Sequence, residues 1–386
     1  MLASQATPLP GWETGPEGAK TVQPMVVPAD PAEVLRKWPA FLEAAAAKAK
    51  IVVILDAVNQ FERGASPRGA HWIPARLPSN VRLVLSALDH GTRNAKPDTR
   101  NSKPGEDWLR VLRGRGLLEL PVPEFAEGDQ RQLIRDLPSV FGKSLDEGQI
   151  SLLLANPATR NPLFLTVALQ ELRVFGSFDH LSEAVQGLPR GAVDLEIALE
   201  ALWGQVLDRL DRETGALTPG LVPKLFALLA SARDGLSELE LEELLAKGFA
   251  AVDPTILSGN LQVALRQVRP YLQRKQTQGT VLLDFFHGSF RQAATGKYLA
   301  GKTVAAAHHL EIADYFEAKE YWRDPVHESG SPRAVNVRKV VELPWQRLET
   351  AKLAGGSDPS SPYWDAVANL LTDWRFLEAK NQASSL

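Results

Sequence analysis

IVVILDAVNQF, residues 51–61, decides how this chain is read. Ile51–Leu55 is a run of five apolar, mostly β-branched residues, the pattern of a strand buried on both faces of a parallel sheet. The run delivers Asp56 at its carboxyl end, where open α/β sheets place their ligands. A carboxylate there has two readings of similar weight. It holds a hydrated Mg²⁺ beside nucleotide phosphates, or it starts the turn that follows a strand.

Working outward, residues from Pro31 turn helical, with Val34, Leu35, Trp38, Phe41 and Leu42 on one face and Pro39 expected to interrupt them. Residues 1–30, rich in Pro, Gly and Thr, are expected to form an extended or loosely attached leader. Val81–Leu85 is a second strand and residues 117–122 a weaker third. Residues 31–125 therefore read as the late strands of a partial, doubly wound parallel sheet.

Beyond Glu127 the pattern is helix upon helix. Residues 126–190 form a helical domain with helices expected over 130–137, 144–154 and 163–175. In residues 191–300 several helices precede two short strands, 271–274 and 281–286, about a Gln-Thr-Gln-Gly turn, and a ribbon placed after helices suggests a winged helix. Residues 301–386 read as a helical connector with breaks at 323–338 and 355–362. The fold class is thus α/β followed by mainly α. No repeat with a period of 20 to 50 residues is found.

Composition narrows the function. The 386 residues are 44% hydrophobic, enough for two or three packed units. A net charge of -3 gives no overall pull toward nucleic acid or anionic lipid. The chain has no cysteine, which excludes disulfides, thiolate metal sites and a cysteine nucleophile, and suits a reducing cytosol. No signal-peptide pattern and no run of roughly 18 apolar residues occurs, so a soluble, cytoplasmic protein without a membrane segment is expected.

The 51–61 strand resembles the Walker B element of NACHT-type STAND ATPases, especially their telomerase-associated and repeat-bearing relatives. In that family an apolar run ends in Asp, a small residue and an acidic pair. Here Asp56 and Ala57 are followed, after Val58, by the amides Asn59 and Gln60. Amides orient water but accept no proton, so binding or slow turnover of ADP or ATP with Mg²⁺ is expected, not fast hydrolysis.

Four further segments follow in the family's order. HWIPARLPSNVRLVLSAL, residues 71–88, resembles its sensor strand, implying that Ser86 reports on the γ-phosphate; otherwise Ser86 caps a turn. NPLFLTVALQELRVFGSF, residues 161–178, is similar to the helix whose early proline packs on adenine, which implies Pro162 as the base contact; otherwise it is an ordinary helix-start proline. LLDFFHGSFRQAATGKYL, residues 282–299, resembles the winged-helix motif whose histidine reaches the β-phosphate. That implies His287 as a lock on the ADP form, against a plain core or capping histidine. VVELPWQRLETAKL and LLTDWRFLEAK, residues 340–353 and 370–380, resemble the connector before sensor repeats.

Gly296 to Thr303, GKYLAGKT, matches the phosphate-loop pattern G-x-x-x-x-G-K-[ST]. A working loop follows a buried strand, whereas Ser289 to Thr295 reads as helix, with Tyr298 and Leu299 continuing its apolar face. Gly142-Lys143-Ser144 lacks the first glycine, since Leu occupies position 137. The phosphate loop is therefore expected from an upstream segment, or the chain is a degenerate remnant; without that loop the remaining residues are expected to bind nucleotide weakly at best. His308 and His309 are adjacent and diverge on a helix, so no metal site is read there.

The resemblance implies a nucleotide-regulated switch. ADP would bridge the Asp56 sheet and the winged helix, and exchange for ATP would free them to rotate and assemble with other protein chains or further copies. A nucleotide-free interaction scaffold is the second reading. The third, a winged-helix DNA binder, rests on Arg266, Arg269, Arg274 and Lys275, which read more simply as a solvated basic edge.

Overall fold

The computed structural model describes residues 31–58, 72–74, 76–87, 109, 111–136, 144–174, 180–190, 195–215, 218–277, 280–323 and 334–384. The leader 1–30, Asn59, Gln60, His71, Gly142 and Lys143 lie outside them. The chain divides into two compact units, Met1–Val122 and Pro123–Leu386.

In the first unit, helix α1 (Pro31–Ala46) leads into strand β1 (Ile51–Leu55), which pairs in parallel with β2 (Val81–Leu85), Ile51 opposite Val81 and Leu55 opposite Leu85. Contrary to expectation, α1 runs through Pro39 without a break. Pro39 faces solvent, while Leu42 and Ala46, one turn apart, anchor the helix on Val81.

The expected burial of β1 on both faces is also corrected. Val52 and Ile54 are 62% and 69% exposed, and Val84 on β2 is 49% exposed. The opposite face carries Ile51 and Val53 against α1, and Leu55 against Val58, Ile73 and Leu112. Residues 117–122 form no strand: Leu118, Leu120 and Val122 are 87%, 78% and 94% exposed, and among the described residues no strand pairs with them. An apolar β-rich sequence needs a partner edge to become a strand.

The second unit is mostly helical. Helices α2 (Glu127–Asp136), α3 (Glu147–Leu154), α4 (Pro162–Val174) and α5 (Leu181–Gln186) come first. A capping box starts α3: Asp146 accepts from the Gln149 amide and the Gln149 side chain accepts from the Asp146 amide. The long α6 (Leu195–Thr214) packs against both α4 and a later helix.

Next come α7 (Leu221–Ser231), α8 (Glu238–Gly248) and α9 (Pro254–Val268), then the antiparallel hairpin β3 (Leu272–Thr277) and β4 (Thr280–Phe285), and α10 (Gly288–Tyr298). Between α7 and α8, Leu236 exchanges backbone hydrogen bonds of 3.1 and 2.8 Å with Leu283, adding a third edge to the hairpin. Gly235, at φ 88°, permits this approach, since a Cβ there would meet the Leu283 carbonyl oxygen at 2.3 Å. Trp203, Tyr271, Phe226 and Phe290 fill the fully buried centre beneath.

The chain ends in α11 (Lys302–Glu317), the short antiparallel pair β5 (Trp322–Arg323) and β6 (Ala334–Val335), α12 (Val337–Thr350), α13 (Pro362–Thr372) and α14 (Trp374–Ser384). The break expected over 323–338 is thus narrower: β6 pairs at its far end, and Asn336 caps α12. Glu342 of α12 is fully buried and accepts the backbone amides of Arg233 and Asp234, both at 3.3 Å, fastening this tail to the turn before Leu236.

Candidate functional site

The parallel ladder positions the first group of site residues. It continues one step past the strands: Ser86 donates its amide to the Leu55 carbonyl at 3.1 Å, and Val58 donates to the Ser86 carbonyl at 2.9 Å. This draws Ser86 over the carboxyl end of β1, where its hydroxyl donates to Asp56 Oδ1 and accepts the Ala57 amide at 2.7 Å. Ala57 lies between these bonds at φ 52°, a left-handed conformation that costs a residue with a Cβ roughly 1–2 kcal/mol. Such strain persists where surrounding bonds over-determine it, and it concentrates at functional sites.

Asp56 and Ser86, 30 residues apart in sequence, therefore meet. A lone carboxylate beside a hydroxyl suits Mg²⁺, which keeps most of its waters and takes one or two carboxylates. Among the described residues no group of three or more His, Asp or Glu side chains is placed to hold a metal directly. A Mg²⁺ here would be held through Asp56 and water, its chemistry limited to neutralising phosphate charge.

Pro162 and His287 both lie in the second unit. Pro162 opens α4 and is exposed, while Asn161 caps that helix by accepting the amides of Leu163 and Phe164 at 2.8 and 3.2 Å. The Pro162 carbonyl accepts the Thr166 hydroxyl at 2.7 Å. His287 is the N-cap of α10. Its Nδ1 lies 3.1 Å from the Ser289 amide nitrogen and 2.7 Å from the Ser289 hydroxyl, which in turn accepts the Trp203 indole N–H at 2.9 Å. Partial burial pushes the His287 imidazole below its ordinary value.

Beneath His287 sits a buried polar group that the sequence does not announce. Arg209 of α6 makes two 2.7 Å hydrogen bonds to Glu171 of α4, and the Tyr271 hydroxyl donates to the same carboxylate. Burial, then the Glu171 charge, pushes the Tyr271 phenol far above its ordinary value. Tyr271 and Trp203 meet edge to face with centroids 6.2 Å apart. The signal that misses is separation: Glu171 and Tyr271 are 100 residues apart.

The phosphate-loop pattern spans the break between two helices. Gly296 to Tyr298 end α10, as expected, whereas Gly301, at φ 93°, precedes α11 and the exposed Lys302 and Thr303 begin it, so this turn follows a helix and not a strand. Lys297 bonds Asp208 and Asp211 of α6, both at 2.7 Å. His308 and His309 face different partners: Lys224 and Glu311 surround the former, and Gln346 bonds the latter at 2.7 Å. Of the basic residues near the hairpin, Arg274 pairs with Glu238 at 3.2 Å and Lys275 with Asp284.

With this geometry in view, the chain is a distant relative of NACHT-domain and repeat-bearing proteins. A TPR repeat-containing protein of Dictyostelium discoideum is 24% identical over 324 residues, 84% of this chain and 16% of that protein. Human NACHT domain- and WD repeat-containing protein 1 is 25% identical over 343 residues, 78% of this chain and 20% of its own length. Mouse telomerase protein component 1 is 26% identical over 200 residues, 51% of this chain and 7% of its own. The chain thus spans a fifth or less of these relatives. No protein-family profile matches it, and no solved structure matches it. Among the described residues no helix is long and apolar enough to cross a membrane.

Proposed function

We propose that this chain is a nucleotide-binding switch segment of the NACHT-type STAND class, taking ADP or ATP with Mg²⁺. The observation that carries the reading is the meeting of Asp56 with Ser86 over the strained Ala57 at the carboxyl end of paired parallel strands. Asp56 would orient hydrated Mg²⁺, and Ser86 would exchange its bond to Asp56 for one to a terminal phosphate oxygen. The amides Asn59 and Gln60 that follow in the sequence accept no proton, which supports binding or slow turnover over fast hydrolysis. The order of α7, the Leu236 edge, α8, α9 and the hairpin supports a winged helix, with His287 at its exit. Distant kinship with NACHT-domain proteins supports the same class. In such proteins nucleotide state sets assembly with other chains, and we extend that role in cytoplasmic signalling to this one.

Thermal unfolding of the chain with millimolar ADP and Mg²⁺ tests this. A rise in midpoint that Asp56→Asn reduces and His287→Ala lessens is expected; an unchanged midpoint overturns it.

A second reading, a nucleotide-free interaction scaffold, is favoured by one observation. Val52, Ile54 and Val84 leave a sheet face open that another protein would cover. Under it ADP leaves the midpoint unmoved. DNA binding has weaker support, because acidic neighbours hold Arg274 and Lys275.

A further inference from the structure

We propose that Trp203 and Ser289 are positioning residues that fix His287 as its Nε2–H tautomer, making it a donor to an anionic oxygen and excluding metal ligation at Nε2. The proposal rests on the phosphate-contact reading of His287 only for the identity of the anion.

A backbone amide can only donate, so the Ser289 N–H at 3.1 Å requires Nδ1 of His287 to be unprotonated. An indole N–H also only donates, so Trp203, 2.9 Å from the Ser289 oxygen, takes one of that oxygen's two lone pairs and turns the hydroxyl proton away from itself. The hydroxyl proton is left free to point at Nδ1, 2.7 Å away. Two donors converge on Nδ1, and the ring's single proton resides on Nε2. Trp203 is fully buried and wedged against Phe290, Tyr271 and Phe286, so the first link in this relay cannot swing away. His287 is an exposed residue, and the bonds described hold its Nδ1 edge. A metal needs a lone pair, which this tautomer does not offer at Nε2. A phosphate oxygen needs a donor, which it does.

The test is ¹⁵N NMR of the histidine side chains in the full chain, with the His287 signals assigned by their loss in His287→Gln. A pyridine-like Nδ1 and a pyrrole-like Nε2 are expected near neutral pH. Ser289→Ala keeps the backbone amide on Nδ1, so Nε2–H should stay the major form while its excess over Nδ1–H falls by roughly tenfold for loss of one hydrogen bond; Trp203→Phe should lower it by less, and Ser289→Thr should restore it. A wild-type ring protonated on Nδ1, or a Ser289→Ala spectrum matching wild type, overturns the relay. Adding ADP with Mg²⁺ then separates the two claims. A perturbed Nε2 signal supports both, whereas the expected tautomer with an unmoved Nε2 signal supports the relay and overturns the nucleotide reading. Zn²⁺ added alone should leave Nε2 unchanged, and a metal-induced loss of its pyrrole signal overturns the exclusion of metal.

Discussion

Ser86 bonds Asp56 and Ala57 at once, its hydroxyl donating to the carboxylate and accepting the amide. One side chain thus holds both the proposed Mg²⁺ residue and the strained backbone beside it. Ala57 already bears the cost of a Cβ in the left-handed region, and Ala57→Val adds β-branching there, which should cost about 1 kcal/mol more. Ala57→Gly relieves strain but adds freedom to the unfolded chain, so it should lie within about 0.5 kcal/mol of the parent. Urea denaturation checks both, and equal losses in the two variants would contradict the left-handed geometry.

Glu171 and Arg209 are both nearly excluded from water. Arg209 also bonds Glu213 at 2.7 Å, so Glu171→Ala leaves it partly paired and should cost about 3 kcal/mol, the low end for breaking a buried pair. Combining it with Arg209→Met should recover a large part of that loss. A double-mutant cycle showing simple additivity would mean that the two charges act independently.

Gly235 and Gly220 both have positive φ, but only Gly235 faces a backbone oxygen at close range. Gly220→Ala should cost about 1–2 kcal/mol from backbone strain alone. Gly235→Ala should add a steric penalty and separate Leu236 from Leu283, for a total of about 2–3 kcal/mol. Equal effects in denaturant midpoints would show that the contact gives way without cost.

The lowered affinity of folded His287 for a proton sets a sign. The unfolded chain protonates this ring first, so its contribution is intact above pH 6.5, the ordinary imidazole value, and declines as pH falls toward the folded value. His309, also lowered, contributes in the same direction. Comparing urea midpoints at pH 7.5 and 5.5, the acid loss should shrink in His287→Gln and shrink further when His309→Gln is added. An unchanged acid loss in both would place the sensitivity elsewhere.

Much of the secondary structure was legible because local periodicity encodes it. The two strands of the first unit, the hairpin and helices α2 to α4 lie where apolar spacing puts them. What covers an apolar face is not encoded in the same way. Val52 and Ile54 read as buried on identity alone, yet are open to solvent, and residues 117–122 found no edge. Pro39 misled because its penalty falls on an exposed turn whose helix is held by Leu42 and Ala46. Asp56 and Ser86 were read from strand ends. Their junction through Ala57 was not, since a small residue carries no mark of positive φ. The partners of His287 were hidden by distance, with Trp203 86 residues from Ser289.

The Glu171 cluster also bears on mechanics. Helix α4, α6 and the start of the hairpin meet at one buried carboxylate, but the charged pair joins α4 to α6 alone, and the hairpin holds on through the Tyr271 hydroxyl. The cluster therefore comes apart in two unequal stages: the hairpin can let go for the loss of one hydrogen bond, whereas parting α4 from α6 must bring two separated ions out of a buried setting. Strain reaching this place would loosen the hairpin first and leave the two helices joined.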